Sequence, residues 1–204
     1  MTALLIKDCY TLTKQAKTFL LIIAVFAFIP GFALATMAVI YAAMLPMTAL
    51  AYDERAKWDS LAAMMPYSAR NIVLGKYLIG YIAVVLISVL VLAAQTVMAA
   101  VKGVAIDPGM PASVLMSACF STILLAVNLP IMFRFGVEKG RIAFLVIFGL
   151  LGAVIAVTSE QLDALIAGAS ESLGLGAAAG FMAAVVLNVL SVALSVAWYK
   201  KKAK

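Results

Sequence analysis

Five stretches of the chain carry no Asp, Glu, Lys or Arg: residues 19–52, 77–101, 108–133, 142–159 and 172–199, together 131 of 204 residues. A helix that crosses the hydrocarbon of a bilayer needs about 20 consecutive apolar residues. With 66% of residues hydrophobic and 12% charged, against about 45–50% and about 25% in soluble domains, the chain has more apolar surface than a water-soluble fold of this size can hide. The expected class is an all-α integral membrane bundle. Histidine is absent, which excludes Ser-His triads, Cys-His dyads and zinc motifs of the H-E-x-x-H kind. Cys9 and Cys119 are too few and too distant for a disulfide framework or a metal knuckle, and read as buried or lipid-facing thiols.

The charges between these stretches set the topology. The first has 34 residues, with Pro30 and Gly31 inside it. Lys7, Lys14 and Lys17 precede it, and Arg55, Lys57, Arg70 and Lys76 follow it. Cytoplasmic loops collect Lys and Arg, so both flanks belong inside and the stretch crosses twice, turning near Phe32 to Ala35. Continuing the alternation, the whole chain, 1–204, reads as one transmembrane domain with six spans. They run at about 18–33, 35–52, 71–101, 113–133, 142–157 and 176–199, and both termini are cytoplasmic. Fourteen of the 15 basic residues then lie inside, with Lys102 alone outside. Tyr52, Tyr77, Tyr81, Trp198 and Tyr199 fall at the inner headgroup level. Ala33-Leu34-Ala35 resembles a signal-peptide cleavage site, but the apolar run continues well past it.

Outside the spans, residues 1–17 read as an amphipathic helix in the interface. Leu5, Cys9, Leu12, Ala16 and Phe19 lie on one side, and Lys7, Thr11, Lys14 and Thr18 on the other. Such a helix is either a passive anchor or an arm that meets a cytoplasmic partner. In the loop 53–70, Trp58, Leu61, Ala62 and Met65 fall at i, i+3, i+4 and i+7, predicting a helix of two to three turns with one apolar stripe. Pro66 stops it, and Ser68 is placed to cap the next helix. The external segment, 158–175, has a weak amphipathic pattern in Leu162, Leu165 and Ile166.

The run Asp53-Glu54-Arg55-Ala56-Lys57-Trp58-Asp59, followed by Met65-Pro66-Tyr67-Ser68-Ala69-Arg70-Asn71-Ile72-Val73-Leu74-Gly75-Lys76-Tyr77, resembles the first cytoplasmic loop of bacterial ABC-2 type transporter permeases. Those proteins carry an acidic pair, an aromatic residue, a Leu-Pro-x-Ser-Arg-like turn, then Ile-Val and Lys-Tyr. Here Met65 replaces the usual Leu, and Ala69 separates Ser68 from Arg70. The resemblance implies the membrane subunit of an ATP-driven exporter in a bacterial cell membrane. Its partners would be a second permease subunit, identical or different, and two copies of a separate P-loop ATPase that bind ATP and Mg. By the same resemblance, Glu54, Lys57, Trp58, Leu61, Met65, Pro66, Arg70 and Lys76 become coupling residues toward the ATPase. Arg70 and Lys76 read equally as positive-inside anchors.

The chain itself has no G-x-x-x-x-G-K-[ST] and is not the ATPase. No cofactor, metal, catalytic residue or nucleic-acid partner is expected. The six span cores hold no carboxylate or other ionisable group, which disfavours coupling to an ion gradient. Gln95, Asn128, Asn188, Ser191 and Ser195 are polar residues for helix packing or for the transport pathway. Gly176, Gly180, Ala184 and Asn188 form a small-residue row on the sixth span. Pro130 kinks the fourth span, where Asn128 is placed to satisfy freed backbone groups. The methionines offer an adaptable lining. The expected cargo is an amphipathic or antimicrobial-type peptide; a lipid, a small drug, or a non-transporting scaffold or sensor are the alternatives.

Overall fold

The charge-free runs form helices. The computed structural model describes residues 2–15, 17–28, 32–65, 67–103, 109–157 and 173–202. In chain order these hold α1 (Thr2–Gln15), α2 (Lys17–Phe28), α3 (Phe32–Ala42), α4 (Leu45–Arg55), α5 (Trp58–Ala63), α6 (Ala69–Lys102), α7 (Met110–Phe135), α8 (Val137–Val157) and α9 (Leu173–Lys202). Among the described residues four helical segments are long and apolar enough to cross a membrane: Thr36–Arg55, which takes in parts of α3 and α4, Ala69–Lys102, Met110–Phe135 and Ala184–Lys201. They coincide with the second, third, fourth and sixth expected spans. The first and fifth fall on α2 and α8, of 12 and 21 residues. Residues 158–172 of the expected external segment lie outside the described residues, as does Pro66.

Two boundaries differ from expectation. The turn expected at Phe32 to Ala35 is helical, because α3 already starts at Phe32. α2 ends at Phe28 and α3 starts at Phe32, and Pro30 and Gly31 between them lie outside the described residues. The expected unbroken span 35–52 is instead two helices joined at Ala43 and Met44. Pro46, in the first turn of α4, has no N–H for the Ala42 carbonyl, and its ring crowds that carbonyl. The chain responds by tightening: Ala43 N–H donates to Ile40 O at 3.2 Å and Met44 N–H to Tyr41 O at 2.9 Å, both spanning three residues as in a 3₁₀ turn.

The centre of the bundle is made by α3, α6 and α7, with α9 laid along α7 and α6, and α8 against α7. Lipid offers apolar side chains as good an environment as the protein interior does, so close packing and polar contacts must hold the helices. The buried set accordingly includes many small residues, Ala38, Ala42, Ala43, Ala49 and Ala83 among them. A close approach falls at Gly80 of α6, where a Cβ would lie 2.9 Å from both Leu125 Cδ1 and Pro46 Cγ. Only the missing side chain lets α4, α6 and α7 meet there. On the small-residue row of α9, Ala184 is buried; the surroundings of Gly176 and Gly180 lie outside those described.

The buried side of α1 also differs from the amphipathic reading. Leu4, Asp8 and Leu12 are buried, whereas Cys9 is exposed. Leu12 is inward as expected, and the buried face is turned by less than one residue step, about 70°, so that a carboxylate points inward. Lys76, on α6, is the reason.

Candidate functional site

At the end of the bundle where the basic residues gather, four charged side chains close a ring. Lys7 and Asp8 come from α1, Asp53 from the last turn of α4, and Lys76 from the second turn of α6. Lys7 Nζ lies 2.7 Å from Asp53 Oδ1 and 2.9 Å from Asp8 Oδ1; Lys76 Nζ lies 2.8 Å from Asp8 Oδ2 and also pairs with Asp53 Oδ2. The Lys7–Asp8 contact is a charge contact alone, since Asp8 Oδ1 accepts no hydrogen bond. The ring sums to zero charge, which permits burial: the Lys76 side chain is only 3% exposed. An isolated ammonium in such a place would be far too costly.

The short helix α5 hangs from this ring. Lys57, ahead of it, takes the left-handed conformation at φ 51°, and Ser60 Oγ donates back to Lys57 O at 2.9 Å. The Lys7 ammonium sits 4.1 Å from the centroid of the Trp58 ring, a cation–π contact that ties α5 to α1. Asp59 accepts from Tyr199 Oη at 3.2 Å, which ties it to α9. Tyr199 in turn meets Phe133 of α7 edge to face, with centroids 5.7 Å apart. At its other end α5 tightens, with Met64 N–H donating to Leu61 O and Met65 N–H to Ala62 O. Ser68 Oγ then accepts from Asn71 N–H at 3.3 Å and caps α6, as the sequence predicts.

The helix is shorter than expected, six residues, and its apolar stripe is divided. Trp58 is half-buried and Ala62 buried, but Leu61 and Met65 are exposed and Met64 is 84% exposed. At six residues, α5 cannot carry a stripe along two or three turns to one neighbour. It presents an apolar outer face instead.

Glu54 works on the opposite side of α4. Its Oε2 accepts the Val137 N–H at 2.8 Å, placing a carboxylate at the N-terminus of α8, where the helix dipole favours negative charge. Gly136 makes this possible. It has φ 82° and ψ 171°, a region essentially reserved for glycine, and a Cβ there would lie 3.0 Å from Glu54 Oε1. Gly136→Ala is therefore expected to destabilise the protein by about 1–3 kcal/mol, read as a lowered midpoint of thermal unfolding in detergent.

Of the residues singled out for coupling, Lys76 belongs to the ring, Trp58 and the Lys57 backbone support it, and Glu54 stands apart at the start of α8. Leu61 and Met65 face outward, and Arg70 is exposed on the first turn of α6. The residues that pattern reading missed are Asp8, Lys7 as the bridge to Trp58, Gly136 and Tyr199. An acidic residue within an otherwise apolar α1 face was the available signal. Among the described residues no group of three or more His, Cys, Asp or Glu could hold a metal ion.

Deeper in the bundle, polar residues join α6, α7 and α9. Pro130 interrupts the ladder of α7 and frees the Ala126 carbonyl. Asn128 does not take it, contrary to expectation; Ser191 Oγ donates to Ala126 O instead, because α9 brings its hydroxyl directly to that carbonyl. The Ser191 proton being used, Tyr77 Oη must donate to Ser191 Oγ and accept from Ser195 Oγ, 2.9 Å away. Asn188 accepts from Tyr81 Oη at 2.7 Å and donates to Ala184 O at 2.8 Å. Gln95 is half-buried on α6.

Asn128 is 1% exposed, yet neither its Oδ1 nor its Nδ2 has a hydrogen-bond partner among the described residues. It lines a cavity of about 250 Å³ together with Met37, Ile40, Met44, Met47 and Leu124. Removing an unpartnered buried amide relieves a desolvation cost. Asn128→Leu is expected to leave stability unchanged or raise it by about 1 kcal/mol. A comparable loss in an unfolding titration would show that the amide is satisfied in the membrane.

A family model described as ABC-2 family transporter protein matches residues 3–200. No curated protein and no solved structure matches the chain.

Proposed function

Because the chain belongs to the ABC-2 family of transporter proteins, a family of membrane permease subunits, we propose that it forms half of the translocation pathway of an ATP-driven exporter of amphipathic or antimicrobial-type peptides. It crosses the bacterial cell membrane six times with both termini in the cytoplasm, α2 and α8 completing the crossings. The ATPase is a separate P-loop subunit, present in two copies with their ATP and Mg, and a second permease subunit completes the channel.

The observation that carries this reading is α5. A six-residue helix with Leu61, Met64 and Met65 exposed offers an apolar contact to a soluble partner. Its inner side is tied to α1 through Trp58 and to α9 through Asp59. A push on α5 reaches the spans through side chains already in contact. The energy source agrees, since the buried charges in the described spans belong to the neutral ring at their basic end; none is left at mid-bilayer depth to carry an ion. The peptide cargo is supported by an apolar, methionine-lined interior that adapts to varied side chains.

Purification from native membranes tests the class. A P-loop ATPase is expected to copurify, and the reconstituted pair is expected to export fluorescent amphipathic peptide in an ATP-dependent manner. Retention of no ATPase would replace this reading with a scaffold or sensor. ATP-dependent movement of a labelled lipid or small drug, with none of peptide, would reassign the cargo.

A further inference from the structure

We propose that the groove between the ends of α7 and α9 binds the phosphate headgroup of an anionic phospholipid from the surrounding bilayer. The inference rests on α7 and α9 crossing the membrane and is independent of the cargo. The groove, about 420 Å³, is lined by Phe133, Arg134, Trp198 and Lys201. Two cations thus face it and no carboxylate does.

The basic side chains at this end fall into two kinds. Lys7 and Lys76 are neutralised by Asp8 and Asp53 among the described residues. Arg134 and Lys201 have no such partner among them. Arg134 lies instead 5.0 Å from the Phe135 ring and 5.0 Å from the Trp198 ring. A guanidinium stacked on aromatic rings uses its faces and keeps its N–H edges, which match the two oxygens of a phosphate. Lys201, one turn beyond Trp198, adds a second charge at the same mouth.

The lipid source follows from what continues below the groove. Leu194, Leu190 and Leu187 stand four, eight and eleven residues before Trp198, on the same face of α9. All three are exposed. This row is an apolar track for an acyl chain, directly under the phosphate position and at the depth where Trp marks the interface. A soluble phosphate would make no use of it. Basic pockets between spans at the cytoplasmic face hold anionic headgroups by this combination.

Native mass spectrometry of the full chain, with whatever subunits it retains, tests the site in equal phosphatidylglycerol and phosphatidylcholine. The expected result is retention of one phosphatidylglycerol per chain at about tenfold preference, lost in Arg134→Gln/Lys201→Gln and kept in Lys139→Gln, which is outside the groove. Loss in Lys139→Gln equal to that in the pair would show bulk charge attraction and overturn the site. Displacement of the lipid by millimolar glycerol 3-phosphate would overturn the lipid as occupant. Should the double variant fail to melt cooperatively, Lys201→Gln alone is read in its place. It changes one exposed side chain, and unchanged lipid preference in it would overturn the proposal.

Discussion

Replacing Lys76 by methionine is expected to destabilise the protein by about 3–5 kcal/mol, the cost of breaking a buried charge network by removing one partner. Among the described residues Lys76 Nζ touches Asp8 Oδ2 and Asp53 Oδ2, as Lys7 Nζ touches the two Oδ1 atoms. Without it the two carboxylates face one another with Lys7 as their sole cation, and a net negative charge is left buried. Methionine fills nearly the same space, so the loss reflects charge rather than volume. The control is Lys76→Met combined with Asp8→Asn. That variant returns the site to one carboxylate and one ammonium and is expected to recover at least half of the loss. Guanidinium unfolding in detergent reads both. A loss under about 1 kcal/mol for Lys76→Met would mean that the ring contributes little to holding α1, α4 and α6 together.

The second large effect is on partner binding. Leu61→Glu and Met64→Glu are each expected to weaken ATPase association by about 2 kcal/mol or more, roughly thirtyfold, as for apolar anchors at the centre of an interface. Both side chains are exposed, so the fold itself should change by no more than about 0.5 kcal/mol. Trp58→Ala separates docking from transmission. Its indole packs under Lys7, and its loss should leave ATPase bound but hydrolysing ATP without moving cargo. Quantitative pull-down alongside ATP turnover and transport distinguishes the two. An ATPase retained unchanged by the double Leu61→Glu/Met64→Glu variant would remove α5 from the docking surface.

How far the fold could be read from residues depends on which force acts at each place. The long apolar runs of α6 and α7 and the Ser68 cap are local, set by periodicity and by one hydroxyl, and the sequence shows them. The face of α1 is not local. Periodicity alone prefers Leu5 and Cys9 inward, but an ammonium fixed on α6 outweighs one or two apolar contacts and draws Asp8 in. The kink at Pro46 was visible as a proline, yet the charge-free run around it reads as continuous. Asn128 and Ser191 show the same limit. Both carry groups able to bind the Ala126 carbonyl, and only the approach of α9, 65 residues further on, decides between them.

The helix α6 has 34 residues, a length of ~51 Å, against about 30 Å of hydrocarbon. Even tilted by about 40°, at the upper end of the usual range, it is longer than the hydrocarbon is thick. Gly80, the most closely surrounded of its glycines, is not at the middle. About 11 residues, ~17 Å, lie between Gly80 and the Ser68 cap, and about 22 residues, ~33 Å, lie beyond it. A rigid rod turning about the place where Leu125 and Pro46 crowd Gly80 would have a mechanical advantage of about one half: it would trade force for travel. Were α6 to turn about that point, a shift of a given size beside α5 would arrive at the far end of α6 roughly doubled.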